Sequence, residues 1–259
     1  MSESIIYSVE NSVAKIVLNR PDKFNSFNRE MALQMQKAID DAAADKTVRA
    51  VYITGEGKAF CAGQDLSEAI DPSGPGIKKI VEEHYNPIIR KIRALEKPVV
   101  CGVNGIAAGA GANIALACDV VIAAASSSFL QAFSKIGLIP DSSGTYILPR
   151  LIGWNRASAL MMLGDKVPAA DALQMGMIYK VSADDKLQEE GMGLASTLSK
   201  MPTKGIALTK KLLNESFHNT LDKQLDRERD LQVEAANSYD YNEGVNAFLE
   251  KRKPEFTGR

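Results

Sequence analysis

The segment from Val99 to Cys118, VVCGVNGIAAGAGANIALAC, runs twenty residues without a charge. A membrane-spanning helix needs about that length. Its content argues for another structure: four glycines (Gly102, Gly105, Gly109, Gly111) and two asparagines (Asn104, Asn113) interrupt it, and Lys97-Pro98 precedes it. Polar amides and a broken backbone are costly in lipid. The segment reads instead as a buried strand, PVVCGV, then a glycine-rich turn and a short helix of small residues. Such a unit belongs to a layered α/β protein.

The flanking sequence repeats the alternation. Two short strands, IIYSVE and VAKIVLN, meet at Asn11-Ser12 as a hairpin. From Asn28, a plausible N-cap, apolar residues recur at Met31, Met35, Ala38, Ile39 and Ala42, a helical spacing that ends in DDAAADKT before strand RAVYIT. A helix from about Ile77, kinked at Pro87, leads to PVVCGV, and DVVIAA is the next strand. After Pro149 strands nearly stop, and helices are expected over Asn155–Leu163, Ala169–Met175, Asp184–Ser199, Thr203–His218 and Leu221–Ala236. No glycine- or serine-rich linker divides the chain. The helical part is therefore expected to pack on the α/β core or on a neighbouring subunit.

Composition narrows the partners. With 31 Lys+Arg against 32 Asp+Glu the formal net charge is -1, which argues against nucleic acid or a membrane surface as partner. The three cysteines form no CxxC pair, and the two histidines, His84 and His218, are far apart in sequence, so no metal site is expected. The amino-terminal residues lack a signal-peptide pattern, and a reduced, cytoplasmic setting follows as an expectation. Neither a GxxxxGK[ST] nor a GxGxxG is present, nor a GxSxG, which removes the main support for nucleotide binding and for a serine nucleophile. His84 lies on an apolar helical stripe and is read as packing.

Three glycine-containing turns follow apolar runs: FCAGQDL (60–66), NGIAAGAGANIAL (104–116) and GLIPDSSGTYILPR (137–150). Any one of them serves equally as a tight connection. Together they can aim two backbone N–H groups, one of them at a positive helix N-terminus, at a single oxygen. A polarised carbonyl needs a proton carrier beside it, and Asp141 is the carboxylate in an otherwise uncharged, proline-flanked turn. It also suits an N-cap. Asp65 suits a loop anchor, and Asp119, at a strand start, a buried structural anion.

At these residues the chain resembles the crotonase, or enoyl-CoA hydratase/isomerase, superfamily. The likeness is carried by LNRPDKFNSFN, AFCAGQDL, KPVVCGVNGIAAGAGANIALACDVVIA, FSKIGLIPDSSGTYILPRLIG, AADALQMGMI and EGVNAFLEKRKPEF, which span nearly the whole length. The resemblance implies a spiral of ββα turns over residues 1–200 and a helical trimerisation region over 201–259, assembled as a homo-trimer or hexamer. It implies an acyl-CoA substrate whose thioester carbonyl accepts N–H bonds from Gln64 and Ala110. Lys23, Phe24, Ala62, Gln64, Asp65, Leu66 and Gly109 are implied to bind substrate, Lys23 being alternatively a solvated charge, and Phe248 and Lys251 of a neighbour are implied to reach the CoA. CoA is part of the substrate, and no further cofactor is implied.

Hydratases of this family carry two glutamates where this chain has Asn113 and Phe133, so their acid–base pair for adding water is missing. Asp141 matches the aspartate of the family's dienoyl-CoA isomerases. The resemblance therefore implies an isomerase working through an enolate, either shifting an enoyl double bond or rearranging a ring-epoxidised aromatic acyl-CoA to an oxepin. Burial beside Phe133 and Ile139 is expected to raise the pKa of Asp141. Enoyl-CoA hydration, acyl-CoA hydrolysis through a carboxylate, and non-catalytic acyl-CoA binding stay open as alternatives.

Overall fold

The computed structural model describes residues 3–259 and contains two sheets. Strands β1 (Ile5–Glu10), β2 (Val13–Leu18), β3 (Ala50–Gly55), β5 (Val99–Val103), β7 (Val120–Ala124) and β10 (Lys180–Ser182) form the larger one, in the order β1-β2-β3-β5-β7-β10. Only the β1–β2 hairpin is antiparallel there. Short strands β4 (Ala59–Cys61), β6 (Ile106–Ala108), β8 (Ser128–Leu130) and β9 (Lys166–Pro168) form the smaller sheet in the order β4-β6-β8-β9. Each of β3, β5 and β7 thus passes into a short strand of the second sheet before the chain turns helical. Three such turns stack side by side.

Every residue of β3 is buried because helices cover both faces of its sheet. Val51 and Ile53 point into the main core with Ile16, Leu18 and Met35, whereas Ala50 and Tyr52 face Val13, Val100 and Ala195 on the opposite side. Helix Leu187–Ser199 closes that side, and Gly191 allows it to approach Tyr52: a Cβ there would lie 2.5 Å from the ring. The helix expected from Asn28 spans Arg29–Ala44, with the Asn28 side chain accepting from Met31 N–H at 3.0 Å and the anticipated apolar residues buried.

The break expected at Pro87 takes the form of a π-helical stretch, Ile80–Tyr85, leading into helix Asn86–Ala94. Proline has no N–H to offer the Glu83 carbonyl. Gln36 Nε2 donates to that carbonyl instead, at 2.8 Å. The wider turn buries His84 and Tyr85, in keeping with the packing role expected of His84.

Two expectations need correction. Residues read as turn contain strands β4 and β6, which are too short and too small in side chain to give a periodic signal. A helix also begins at Gly144, ahead of Pro149, and runs to Ile152 with the proline inside it. The helices expected later in the chain form over Trp154–Leu163, Ala169–Gln174, Leu187–Ser199, Thr203–Ser216 and Leu221–Ala236, and Tyr239–Glu250 is the last helix. Helix Thr203–Ser216 docks through Lys210, which donates to Ile92 O at 2.7 Å and pairs with Asp119 at 2.8 Å. Asp119 also pairs with Arg93 and accepts from Val99 N–H, and is the structural anion that its place suggested, half-buried instead of fully buried. Among the described residues no helix is long and apolar enough to cross a membrane.

Candidate active site

The first two glycine turns lie against each other. Phe27 N–H donates to Gly63 O at 2.7 Å and Asp65 N–H donates to Phe27 O at 2.8 Å, a parallel bridge centred on Gln64. Extended backbone alternates, so the N–H of Gln64 faces away from Phe27, and no acceptor for it is found among the described residues. Gly63, at φ +95°, sits so close to the second turn that a Cβ there would lie 3.0 Å from Ala108 O and 3.7 Å from Ala110 N.

In the second turn Gly109 adopts φ 53°, ψ −126°, a conformation essentially reserved for glycine. Helix Ala110–Leu116 begins at the next residue, and the N–H of Ala110 therefore has no partner within it. Gly111 lies on Cys61, where a Cβ would come within 2.5 Å of Cys61 O. The two candidate donors, Gln64 and Ala110, are thus carried on turns in direct contact.

Asp141 comes from the third turn and joins the same place through Asn113, one helical turn after Ala110. Asn113 Nδ2 donates to Asp141 O at 2.8 Å, and Gln131 Nε2 donates to Asn113 Oδ1 at 2.8 Å. The Asp141 carboxyl does not cap the following helix, whose N-cap is Ser143. Its side-chain hydrogen-bond partner is Ser142 Oγ, at 2.8 Å. Burial raises its pKa, and the Ser142 hydrogen bond opposes the rise. Ile139, expected to share in that burial, is 81% exposed and does not. Phe133 is buried with its ring against Gly109.

The remaining expected residues fall into three groups. Asp65 is held in structural work: it pairs with Arg20 at 2.9 Å and caps helix Leu66–Ala69, which together lower its pKa against the effect of burial. Lys23, Phe24, Ala62 and Leu66 are exposed along one rim, and Ala62 N–H donates to Phe24 O at 3.0 Å. Phe248 and Lys251 lie at the end of helix Tyr239–Glu250, and among the described residues no hydrogen bond links them to Gln64, Ala110 or Asp141.

Two residues that sequence reasoning assigned no role stand at the site. Tyr85, 1% exposed, donates its hydroxyl to Gln64 Oε1 at 2.9 Å, while Gln64 Nε2 donates to Glu68 at 2.9 Å. Burial raises the Tyr85 pKa, and the charges of Asp141, Glu68 and Asp65 add to the rise, so tyrosine and aspartate share one electrostatic neighbourhood. Gln131 is the second, and nothing in its local sequence marks it. No group of three His, Cys, Asp or Glu side chains is placed to hold a metal ion among the described residues.

The fold and this arrangement define a protein of the crotonase type. The family model for enoyl-CoA hydratase/isomerase matches residues 8–259, and the chain belongs to that family. It is 48% identical, over the full length of both chains, to the 1,2-epoxyphenylacetyl-CoA isomerase of Escherichia coli (strain K12). It is 41% identical to a probable enoyl-CoA hydratase of Rhodobacter capsulatus, covering 99% of this chain and 98% of that one. The crystal structure of a putative enoyl-CoA hydratase/isomerase from Mycobacterium abscessus superposes with a TM-score of 0.93 at 38% identity, over 98% of this chain and 100% of that one.

Proposed function

We propose that this enzyme isomerises an acyl-CoA thioester, with Asp141 as the carrier of the proton and the N–H groups of Gln64 and Ala110 as the oxyanion hole. The observation that carries the reading is the state of Asp141: a half-buried carboxyl of raised pKa, with Ser142 as its side-chain partner, beside an asparagine where a second carboxylate would stand. As Asp141 takes a proton from the acyl chain, negative charge collects on the thioester oxygen. Two backbone donors bind that enolate more tightly than the neutral carbonyl, and loss of one such donor typically costs about 10²–10³ in rate. The same carboxylic acid returns the proton at another carbon. Nothing is added, so no second acid is needed.

The identity to the Escherichia coli isomerase supports a ring-epoxidised aromatic acyl-CoA, opened and expanded to an oxepin, as the particular substrate. An enoyl-CoA double-bond shift uses the same groups. On this reading Lys23, Phe24, Ala62, Asp65, Leu66 and Gly109 border the CoA, and a neighbouring subunit of a trimer or hexamer adds Phe248 and Lys251. Lys251→Ala then weakens CoA binding, and unchanged affinity counts against that assembly.

Incubation with 3-enoyl-CoA in deuterated water tests the chemistry. Label in the acyl chain without hydrolysis or hydration supports the isomerase; free CoA, a hydroxyacyl product, or no reaction point to hydrolase, hydratase or binder. Asp141→Asn is expected to abolish turnover, and wild-type rate in the folded variant would sink the assignment. Mass spectrometry of the epoxide thioester separates the two substrates: no turnover while 3-enoyl-CoA reacts quickly favours the fatty-acyl reading.

A further inference from the structure

The Asp141 carboxyl has one side-chain partner, so its place depends on the backbone that carries it. That backbone is unfavourable. Ser142 and Ser143 follow at φ 49° and 66°, left-handed values that non-glycine residues adopt when their surroundings impose them. The Asp141 carbonyl is where the constraint is applied: it accepts from Asn113 Nδ2 and from Gly144 N–H, each at 2.8 Å. Asn113 is 1% exposed, and a Cβ on Gly144 would fall 2.4 Å from its Nδ2, so the amide and the loop are in full contact.

The polarity of this contact is dictated by chemistry. A carbonyl only accepts, so Asn113 must present its NH₂ to Asp141 and its oxygen the other way. That oxygen is met by Gln131 Nε2 at 2.8 Å, which leaves Gln131 Oε1 buried without a partner. An amide with one unsatisfied buried acceptor is retained here, and its bond to Asn113 is what it contributes. We propose that Asn113, oriented by Gln131, is a positioning residue for Asp141, fixing through the Asp141 carbonyl both the place of the carboxyl and its shielding from water. The inference rests on Asp141 being the proton carrier.

Asn113→Leu, similar in volume but without a donor, is the direct test. The released loop admits water to the carboxyl and moves it from its working position; displacements of about 1 Å typically cost up to about a hundredfold in rate. The expected result is kcat down about ten- to a hundredfold with KM little changed. In addition, the acid limb of kcat/KM moves to lower pH, because the burial that raises the Asp141 pKa is reduced. Tyr85 is the titratable group whose own pKa responds to Asp141, and Glu68 and Asp65 also act on Tyr85; all three stay in place in the variant. Gln131→Met is expected to act in the same direction but less, and the double variant to be no worse than Asn113→Leu, since Gln131 works through Asn113.

A folded Asn113→Leu enzyme with the wild-type acid limb overturns the proposal, whether or not kcat has fallen. If that variant does not fold, Gln131→Met decides alone: a shifted limb supports the proposal and an unshifted one overturns it. Asp141→Asn separates the two levels. Should it retain wild-type kcat, the assignment of Asp141 itself falls; should it be inactive while Asn113→Leu and Gln131→Met match the wild type in rate and pH profile, only the positioning role falls.

Discussion

The Tyr85 hydroxyl donates to Gln64 Oε1 at 2.9 Å, joining a tyrosine buried by the π-helical stretch to the residue whose backbone N–H points away from the Phe27 bridge. Gln64 is thereby held from its side chain as well as from the Phe27 bridge. Tyr85→Phe keeps the ring packed against Phe27 and removes only the hydroxyl. Loss of one hydrogen bond of this kind costs about 1 kcal/mol. We expect kcat to fall severalfold with the melting temperature nearly unchanged, measured by steady-state kinetics beside thermal unfolding; a variant with full activity would show that the Phe27 bridge suffices.

Gly109 and Gly111 are two residues apart and fail for different reasons when given a side chain. At Gly109 there is room, since the nearest atom a Cβ would meet is in the Phe133 ring at 3.7 Å, but φ 53°, ψ −126° is closed to alanine. Gly109→Ala is expected to turn the peptide that carries the Ala110 N–H, so activity falls by about 10² while the protein still folds. At Gly111 the Cβ would strike Cys61 O, Cβ and Sγ at 2.5–2.6 Å. Gly111→Ala must displace strand β4 and is expected to destabilise the fold by about 1–3 kcal/mol or more. Denaturant titration of the two variants, set against their rates, shows the contrast.

Five strands of the main sheet, the helix from Asn28 and the later helices are legible because each carries a period long enough to see, as in Met31, Met35 and Ile39, whereas β10, three residues long, carries none. Strands β4, β6 and β8 are three residues each and lie next to glycine turns, so their pairing depends on contacts between distant segments. Of the candidate site, Asp141 is marked by its uncharged, proline-flanked turn and Gln64 and Ala110 by the resemblance, and the contact of Gly63 with the second turn brings the last two together. The links among them were not legible. Gln131 reaches Asn113 across 18 residues and Tyr85 reaches Gln64 across 21, separations over which no local pattern operates.

The end of the chain is fastened by Asp240, 2% exposed, whose carboxylate accepts from Thr257 N–H at 2.7 Å and Gly258 N–H at 2.8 Å. Arg49 Nη1 donates to Phe256 O at 2.6 Å from the core side. In Asp240→Asn an NH₂ group opposes one of the two backbone donors, which is expected to cost about 1.5–3 kcal/mol. Urea unfolding measures the loss, and protease should cleave residues 253–259 in the variant well before the wild type. Equal resistance in the two proteins would mean that the remaining ties, from Arg49 to Phe256 O, from Glu255 N–H to Glu243 and from Asp240 N–H to Arg259 O, hold the tail without the carboxylate.

The charge on Asp141 bears on stability as well as on rate. Burial raises its pKa above the value in the unfolded chain, so the native state holds the proton more tightly than the unfolded state does. The favourable contribution of the protonated carboxyl is then present at low pH and is lost as pH rises through the folded-state pKa, beyond which the buried charge is a net cost. Asp141→Asn keeps an acceptor for Ser142 Oγ and removes that charge. At pH 7 the variant is therefore expected to melt at a higher temperature than the wild type while losing turnover. Scanning calorimetry as a function of pH should show the gap closing as pH falls below the ordinary aspartate range, about 3.9. A wild type more stable than the variant at pH 7 would mean that the ionised carboxyl is compensated in the resting enzyme, and that its surroundings favour the anion they are expected to oppose.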